Sequence, residues 1–268
     1  MSATHFPTPA ETVVAAMARE IWDGAVVATG VASYLPILAI AVARATHAPR
    51  LTYLSCVGAL DPAIEELRGS AEDLAYLEGR SGEVSIPDLF DHARRGRVDV
   101  MFFGAAEVDG AGNTNLTAAG SLECPKVKFP GVAGAASLRR WVRHPVLLVT
   151  RQSRRNLVER VQVTSTSDPQ RATRLVTDLA IFQVGGNGGT HSDSAARYGE
   201  PAARGRTNGG SATLLARHPW ASAEAIAERT GFAHRRTAEL PVTEPASPEQ
   251  VRAMRRIDPE GLRERLVG

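Results

Sequence analysis

Four short runs of small residues, each just after an apolar segment, are the parts of this sequence that could do chemistry. They are Gly30-Val31-Ala32-Ser33, Cys56-Val57-Gly58-Ala59, Gly104-Ala105-Ala106-Glu107 and Pro130-Gly131-Val132-Ala133-Gly134. Side chains this small let a ligand approach backbone N–H groups, which is how acyl-transfer enzymes build oxyanion holes. Tight turns also favour glycine, so one run alone says little; four in succession are harder to assign to turns. Gly30, Val31, Ser33, Gly58, Gly131, Ala133 and Gly134 are therefore the candidate substrate contacts. Cys56 is the sharpest single residue, because it directly follows the run 51–55 (LTYLS) and its thiol should reach the floor of a crevice. The competing role is that of a buried cysteine acting as a small hydrophobe. Cys124, which precedes Pro125 on the opposite edge, reads as structural.

Strands must present these runs. Residues 25–29 (AVVAT), 51–55, 98–103 (VDVMFF) and 145–150 (PVLLVT) have strand character. Helical spacing occupies 10–22, then 35–44 with Pro36 in its first turn, then 87–95, begun by Pro87 and stopped by Gly96. The alternation predicts an α/β fold: an open, mostly parallel sheet with helices on both faces. Ligands of such sheets bind outside the carboxyl ends of the strands, where the small runs fall. The fourth run follows a short apolar segment, 127–129. The second half is irregular. It offers strands at 179–184 and 212–215, and helices at 222–230 and at 248–256 with Ser247 as cap. Between them the Gly-, Ser- and Arg-rich tract 185–211 reads as a long exposed loop. One domain over 1–268 is expected.

Composition removes several classes. Lys plus Arg is 31 against 29 Asp plus Glu, a net of +2, so no charge excess points to nucleic acid or an anionic membrane. Apolar residues are 43% of 268, enough for a packed core. Two cysteines argue against a disulfide framework and for a reducing compartment. Residues 1–11 lack the order of a secretory signal, and the apolar stretch 35–43 is about half the roughly 20 residues of a membrane span. A cytoplasmic protein is expected. Metal-ligand spacings, Gly-x-Gly-x-x-Gly and Gly-Lys-Ser/Thr are absent, so no metal site, dinucleotide site or P-loop is expected. The basic runs 139–143 and 151–155 read as solvated faces, or as contacts to a partner chain or to the phosphates of a large cofactor.

With these turns, the run Val108-Asp109-Gly110-Ala111-Gly112-Asn113-Thr114-Asn115 and the ending His218-Pro219 to Thr230-Gly231-Phe232 resemble a known family. They look like the β subunits of class I coenzyme A transferases, nearest the glutaconate CoA-transferase type. The likeness spans residues 10–260. It implies a homologous α-type partner subunit, a CoA thioester substrate, and no cofactor beyond the coenzyme A of that substrate. It also implies that the backbone around Gly131–Gly134 and the side chain of Asn115 polarise the thioester. The family's catalytic segment is a glutamate, a small or polar residue, then glycine, just after a strand. Here 54–60 (LSCVGAL) takes that place, and Cys56 stands where the glutamate is expected.

That departure redirects the chemistry. Transfer of the family type needs a carboxylate to attack the thioester and form an anhydride, which a thiolate cannot do. Decarboxylation of a glutaconyl-type CoA ester needs only the polarising frame and a weak acid. The departing carboxylate pushes electrons into the thioester, and backbone donors stabilise the dienolate by on the order of 3 kcal/mol each. A thiol of free pKa about 8.5 can then protonate it. The chain thus resembles the β-type subunit of a CoA-ester decarboxylase (a lyase), one that forms 3,3-dimethylacrylyl-CoA from 3-methylglutaconyl-CoA on an alternative route to isovaleryl-CoA. Glu107, where relatives often carry glutamine, adds an ionisable group that serves as a proton relay or sits paired. Three alternatives stay open: a hydrolase of CoA thioesters or of a CoA-linked ring, a true transferase subunit, and a non-catalytic, structural subunit whose partner does all the chemistry.

Overall fold

A computed structural model describes residues 6–186 and 212–267. Its strands are β1 (Val26–Ala28), β2 (Thr52–Leu54), β3 (Ala59–Leu60), β4 (Gly82–Glu83), β5 (Val100–Gly104), β6 (Glu107–Val108) and β7 (Thr114–Asn115). There follow β8 (Ala118–Gly120), β9 (Pro125–Lys128), β10 (His144–Val149), β11 (Thr173–Thr177), β12 (Ala180–Val184), β13 (Ala212–Arg217) and β14 (His234–Arg236). Helices are α1 (Pro9–Ala18), α2 (Tyr34–Ala45), α3 (Ile86–Arg94), α4 (Ala135–Trp141), α5 (Ala223–Glu228), α6 (Pro248–Ile257) and α7 (Leu262–Leu266). Ten strands form one sheet in the order β14-β13-β12-β11-β10-β5-β1-β2-β3-β4. The run β11-β10-β5-β1-β2 is parallel throughout, and antiparallel pairs flank it on both sides.

Strict alternation within the central strands divides the core in two. Val100 and Phe102 face α1, α2 and α6, while Met101 and Phe103 face α3, α4 and α5. Helices therefore cover both faces, and the α/β architecture read from the sequence is the one observed.

Local signals start the helices where expected. Thr8 accepts from Glu11 N (3.1 Å) while the Glu11 carboxylate accepts from Thr8 N (2.9 Å), with Pro9 opening α1. α1 stops at Ala18, short of residue 22, because the next two side chains leave the helix for other partners. Arg19 donates to the carbonyls of Glu244 and Pro245, and Glu20 pairs with His144 and Arg174. Fully buried Glu11 accepts from Arg255 and Arg263, which ties α1 to α6 and α7.

Two expectations are corrected. The segment at 127–129 is no strand of the main sheet: β9 pairs antiparallel with β8 in an exposed two-stranded hairpin. The sequence PKVK interrupts its apolar content with lysines, as an outer hairpin requires and a central strand does not tolerate. Cys124, at the end of that hairpin, is exposed and not structural. The loop expected at 185–211 lies outside the described residues beyond Gly186. Among the described residues no helix is long and apolar enough to cross a membrane.

Candidate active site

β2, β1 and β5 are parallel neighbours, so their carboxyl ends open on one edge of the sheet. From β1 the chain goes through α2 to β2 on one side, then crosses back to β5 on the other. Strand order reverses between β1 and β5, which is where open α/β sheets hold ligands. A cavity of about 460 Å3 sits there, lined by Ala32, Tyr34, Gly104, Ala105, Thr150 and Asn156 with their neighbours. Ser33 starts α2 without capping it. Its hydroxyl donates instead to the carbonyl of Val31, at 3.4 Å, and the first turn of α2 (Tyr34, Leu35, Pro36) lines the cavity without a side-chain cap. Val31 is 64% exposed on the rim, and Ala32 takes a left-handed conformation (φ 54°) that alanine rarely adopts.

Cys56 lies two residues beyond β2, half-buried, on the next strand end over; it does not line that cavity. Its S–H points at the carbonyl of Ala71, 3.9 Å away, a weak contact. Burial, followed by the charge of Glu72, pushes the thiol pKa up; the Thr29 hydroxyl offsets part of that rise. The group is thus a neutral thiol at neutral pH. Gly58 (φ 97°) turns the chain so that its carbonyl accepts from Val84 N, just before α3.

Glu107 and Asn115 face each other across the β6–β7 ladder. Both are buried, Glu107 at 5% and Asn115 at 0% exposure. Asn115 Nδ2 donates to Glu107 Oε2 (2.8 Å) and to the Ala118 carbonyl (2.8 Å), and its Oδ1 accepts from Thr117 N and Ala118 N. Glu107 Oε2 also accepts from Gln162 N (3.1 Å). The preceding turn closes on Asp109, whose carboxylate accepts from Ala111 N and Asn113 N. The family resemblance puts the Asn115 side chain on the thioester. That side chain is instead consumed within the hairpin and shapes the turn from behind.

The run 131–134 starts α4 beside this hairpin. Gly131 (φ 96°) donates its N–H to the Leu116 carbonyl. Gly58 donates its own to the Ser55 carbonyl, so neither glycine offers a free donor. Ala133 (φ 42°) and Gly134 keep N–H groups without a protein acceptor among the described residues. A Cβ at Gly134 would lie 2.3 Å from Phe90 Cζ on α3, so a larger residue there must displace that ring. α3 thus bridges the Gly58 turn to the Gly134 turn. In the basic run 139–143, Arg139 departs from the expected solvated face. It is 1% exposed, donates to Thr166 Oγ1 (2.8 Å), and burial lowers its pKa to about 10.

Sequence reading misses Glu72. Its Oε1 accepts from Ala32 N (2.8 Å) and its Oε2 from the Ser70 hydroxyl (2.9 Å), which joins the loop after β1 to the surroundings of Cys56. Residues 61–81 carry no periodic pattern or motif that could signal it.

A family model described as coenzyme A transferase matches residues 10–194, and the chain belongs to that family. It is 27% identical over 259 residues to one of the subunits of 3-oxoadipate CoA-transferase from Pseudomonas knackmussii, covering 92% of each. Among solved structures it is similar to the decarboxylase AibA/AibB, at 62% identity and a TM-score of 0.86, covering 97% of this chain and 99% of that one. That decarboxylase has also been solved as C56V, C56N, C56A and C56S variants. Glutaconate coenzyme A-transferase of Acidaminococcus fermentans shares the fold at 21% identity and a TM-score of 0.76, with 96% of this chain and 97% of that one covered.

Proposed function

From membership of the coenzyme A transferase family, we propose that this chain is the β-type subunit of a decarboxylase acting on a glutaconyl-type CoA thioester. The observation that carries the reading is a thiol, Cys56, at the strand end where the family's transfer chemistry expects a carboxylate, and burial favours its neutral form. The 62% identity to the decarboxylase AibA/AibB supports it. The preferred substrate is 3-methylglutaconyl-CoA and the product 3,3-dimethylacrylyl-CoA.

Loss of the distal carboxylate as carbon dioxide sends its bonding pair through the double bond onto the thioester oxygen. The thioester is the electron sink, so the route calls for no cofactor besides the coenzyme A already attached. Free N–H groups at Ala133 and Gly134 are the candidate donors to the dienolate oxygen. The Cys56 S–H then delivers a proton to the terminal carbon, and water reprotonates the thiolate. Gly30, Val31 and Ser33 form the wall at the end of β1, while Gly58 and Gly131 shape their turns. Glu107 Oε2 is held by Asn115 and Gln162, and this scheme gives Glu107 a scaffold role.

A site that opens at the sheet edge suits a hetero-oligomer with a homologous α-type subunit. Free cysteines at 56 and 124 suit a cytoplasmic location.

The test is to co-express the chain with its α-type partner and supply glutaconyl-CoA and 3-methylglutaconyl-CoA. Carbon dioxide release without an acyl acceptor is expected, faster with the methylated ester. Acceptor-dependent thioester exchange without gas would restore the transferase, and release of free coenzyme A would point to hydrolysis.

A further inference from the structure

We propose that Arg139 is a positioning residue that fixes the turn presenting the Ala133 and Gly134 N–H groups, at a cost to stability. This rests on the reading of those two groups as donors to the dienolate. α4 follows them directly, and little within it holds it in place. It is seven residues long, and Gly134 at its start provides no side-chain cap. Its place is set instead by three arginines that join it to residues 166–171. Arg140 reaches the Ser167 carbonyl from the surface, at 3.3 Å. Arg171 donates to the carbonyls of Arg140 (3.0 Å) and Val142 (2.6 Å), at the helix end that favours a cation.

Arg139 alone of the three is fully buried. Its Nη1 donates to Thr166 Oγ1, which also meets Thr114 Oγ1 at 2.7 Å, so the side chain ties α4 to β7. Its Nε and Nη2 have no hydrogen-bond partner among the described residues. Asp109 and Asp168 are near enough to favour its charge, yet neither accepts a bond from it. Asp109 is taken by the N–H groups of Ala111 and Asn113, and Asp168 faces Arg171 Nε at 3.4 Å. Gly112 (φ 77°) leaves room for the guanidinium, since a Cβ there would lie 3.3 Å from Nη2.

Buried donors without acceptors lower stability, and an apolar side chain of similar length would spare the protein that cost. Packing therefore does not account for a guanidinium here. What it supplies is direction: one bond, from the middle of a helix that nothing caps, to the Thr114–Thr166 bridge. The turn before α4 moves with the helix, and an N–H aimed at developing charge loses its effect when misplaced. Such donors act chiefly in the transition state, so misplacing them shows in kcat and not in KM.

Two variants in the co-expressed complex test this. Arg139→Met fills the space without donors, whereas Arg139→Lys keeps a donor for Thr166. In Arg139→Met, kcat for carbon dioxide release should fall about tenfold to a hundredfold, with KM within about twofold of the parent. Its melting temperature should equal or exceed the parent's. Arg139→Lys should regain most of the lost kcat. Hydrogen exchange of the peptide spanning residues 131–136 should quicken in Arg139→Met and return toward parental in Arg139→Lys. Parental kcat or parental exchange in Arg139→Met overturns the proposal. So does a kcat loss accompanied by a lower melting temperature or by unfolding, because Arg139 would then be structural only. Exchange needs no turnover, so it decides the positioning even where the parent releases no carbon dioxide, a result that would count against the decarboxylase instead.

Discussion

Glu107 and Asn115 lock together across a two-residue ladder, with Thr117 and Ala118 taking the remaining bonds of the Asn115 amide and Gln162 adding one to Glu107. After β2, in the main sheet, the Cys56 thiol makes one weak bond, 3.9 Å to a carbonyl. In the hairpin Asn115 is buried with its amide fully bonded; the cysteine turn is half-buried, with the Ala71 carbonyl facing its sulfur. The Asn115 amide, whose bonds are all used, holds its neighbours in place and has nothing left for a substrate. A group with unused capacity, held near its working protonation state, can react. On the proposed scheme Asn115 is scaffold and the cysteine turn is the chemical centre.

The sharpest way to break the contrast is to exchange the consequences. Cys56→Ala should lower kcat for decarboxylation about 10²–10⁴-fold, the usual contribution of a general acid, with little change in melting temperature. Asn115→Ala should do the reverse. Removing it takes one of two donors from Glu107 Oε2 and the acceptor from the N–H groups of Thr117 and Ala118, at about 2–3 kcal/mol of stability, measured by denaturant titration. If Asn115→Ala melted like the parent yet lost turnover, the hairpin would belong to the chemistry after all. Gly134→Ala should cost about 1–3 kcal/mol, because its new methyl meets Phe90 on α3; the same denaturation curves measure it.

The smallest effect concerns pH. The thiol is active while protonated and its pKa is raised in the folded protein, so activity should persist above the ~8.5 of a free thiol and fall only as the thiol ionises. A kcat/KM profile over the alkaline range reads this directly. A basic limb below the free value would place a different acid at the site.

Much of the fold is legible in the sequence. The apolar runs at 25–29 and 98–103 announce β1 and β5, and Pro87 and Gly96 bound the helix observed as α3, because these elements draw on local pattern alone. β11, β14 and α4 escape such reading: arginines interrupt the apolar positions of β11 and α4, and β14 (HRR) has no apolar residue to mark it. Cys56 stands out because its place after β2 follows from a strand and a turn. The turn motif of Asn115 suggests a ligand contact; the folding back of β7 on β6 buries it, and single-sequence pattern cannot show that. The Glu72–Ala32 bond joins residues 40 apart through an irregular loop, so no local signal encodes it.

The account rests on Cys56 passing a proton to the terminal carbon of the dienolate. By microscopic reversibility the complex should then exchange the methyl protons of 3,3-dimethylacrylyl-CoA with deuterated water, a reaction visible by mass spectrometry without any carbon dioxide. The parent should incorporate deuterium at the carbon that bore the carboxylate, and Cys56→Ala should do so about a hundredfold more slowly or worse. Exchange at the parental rate in Cys56→Ala would contradict the account.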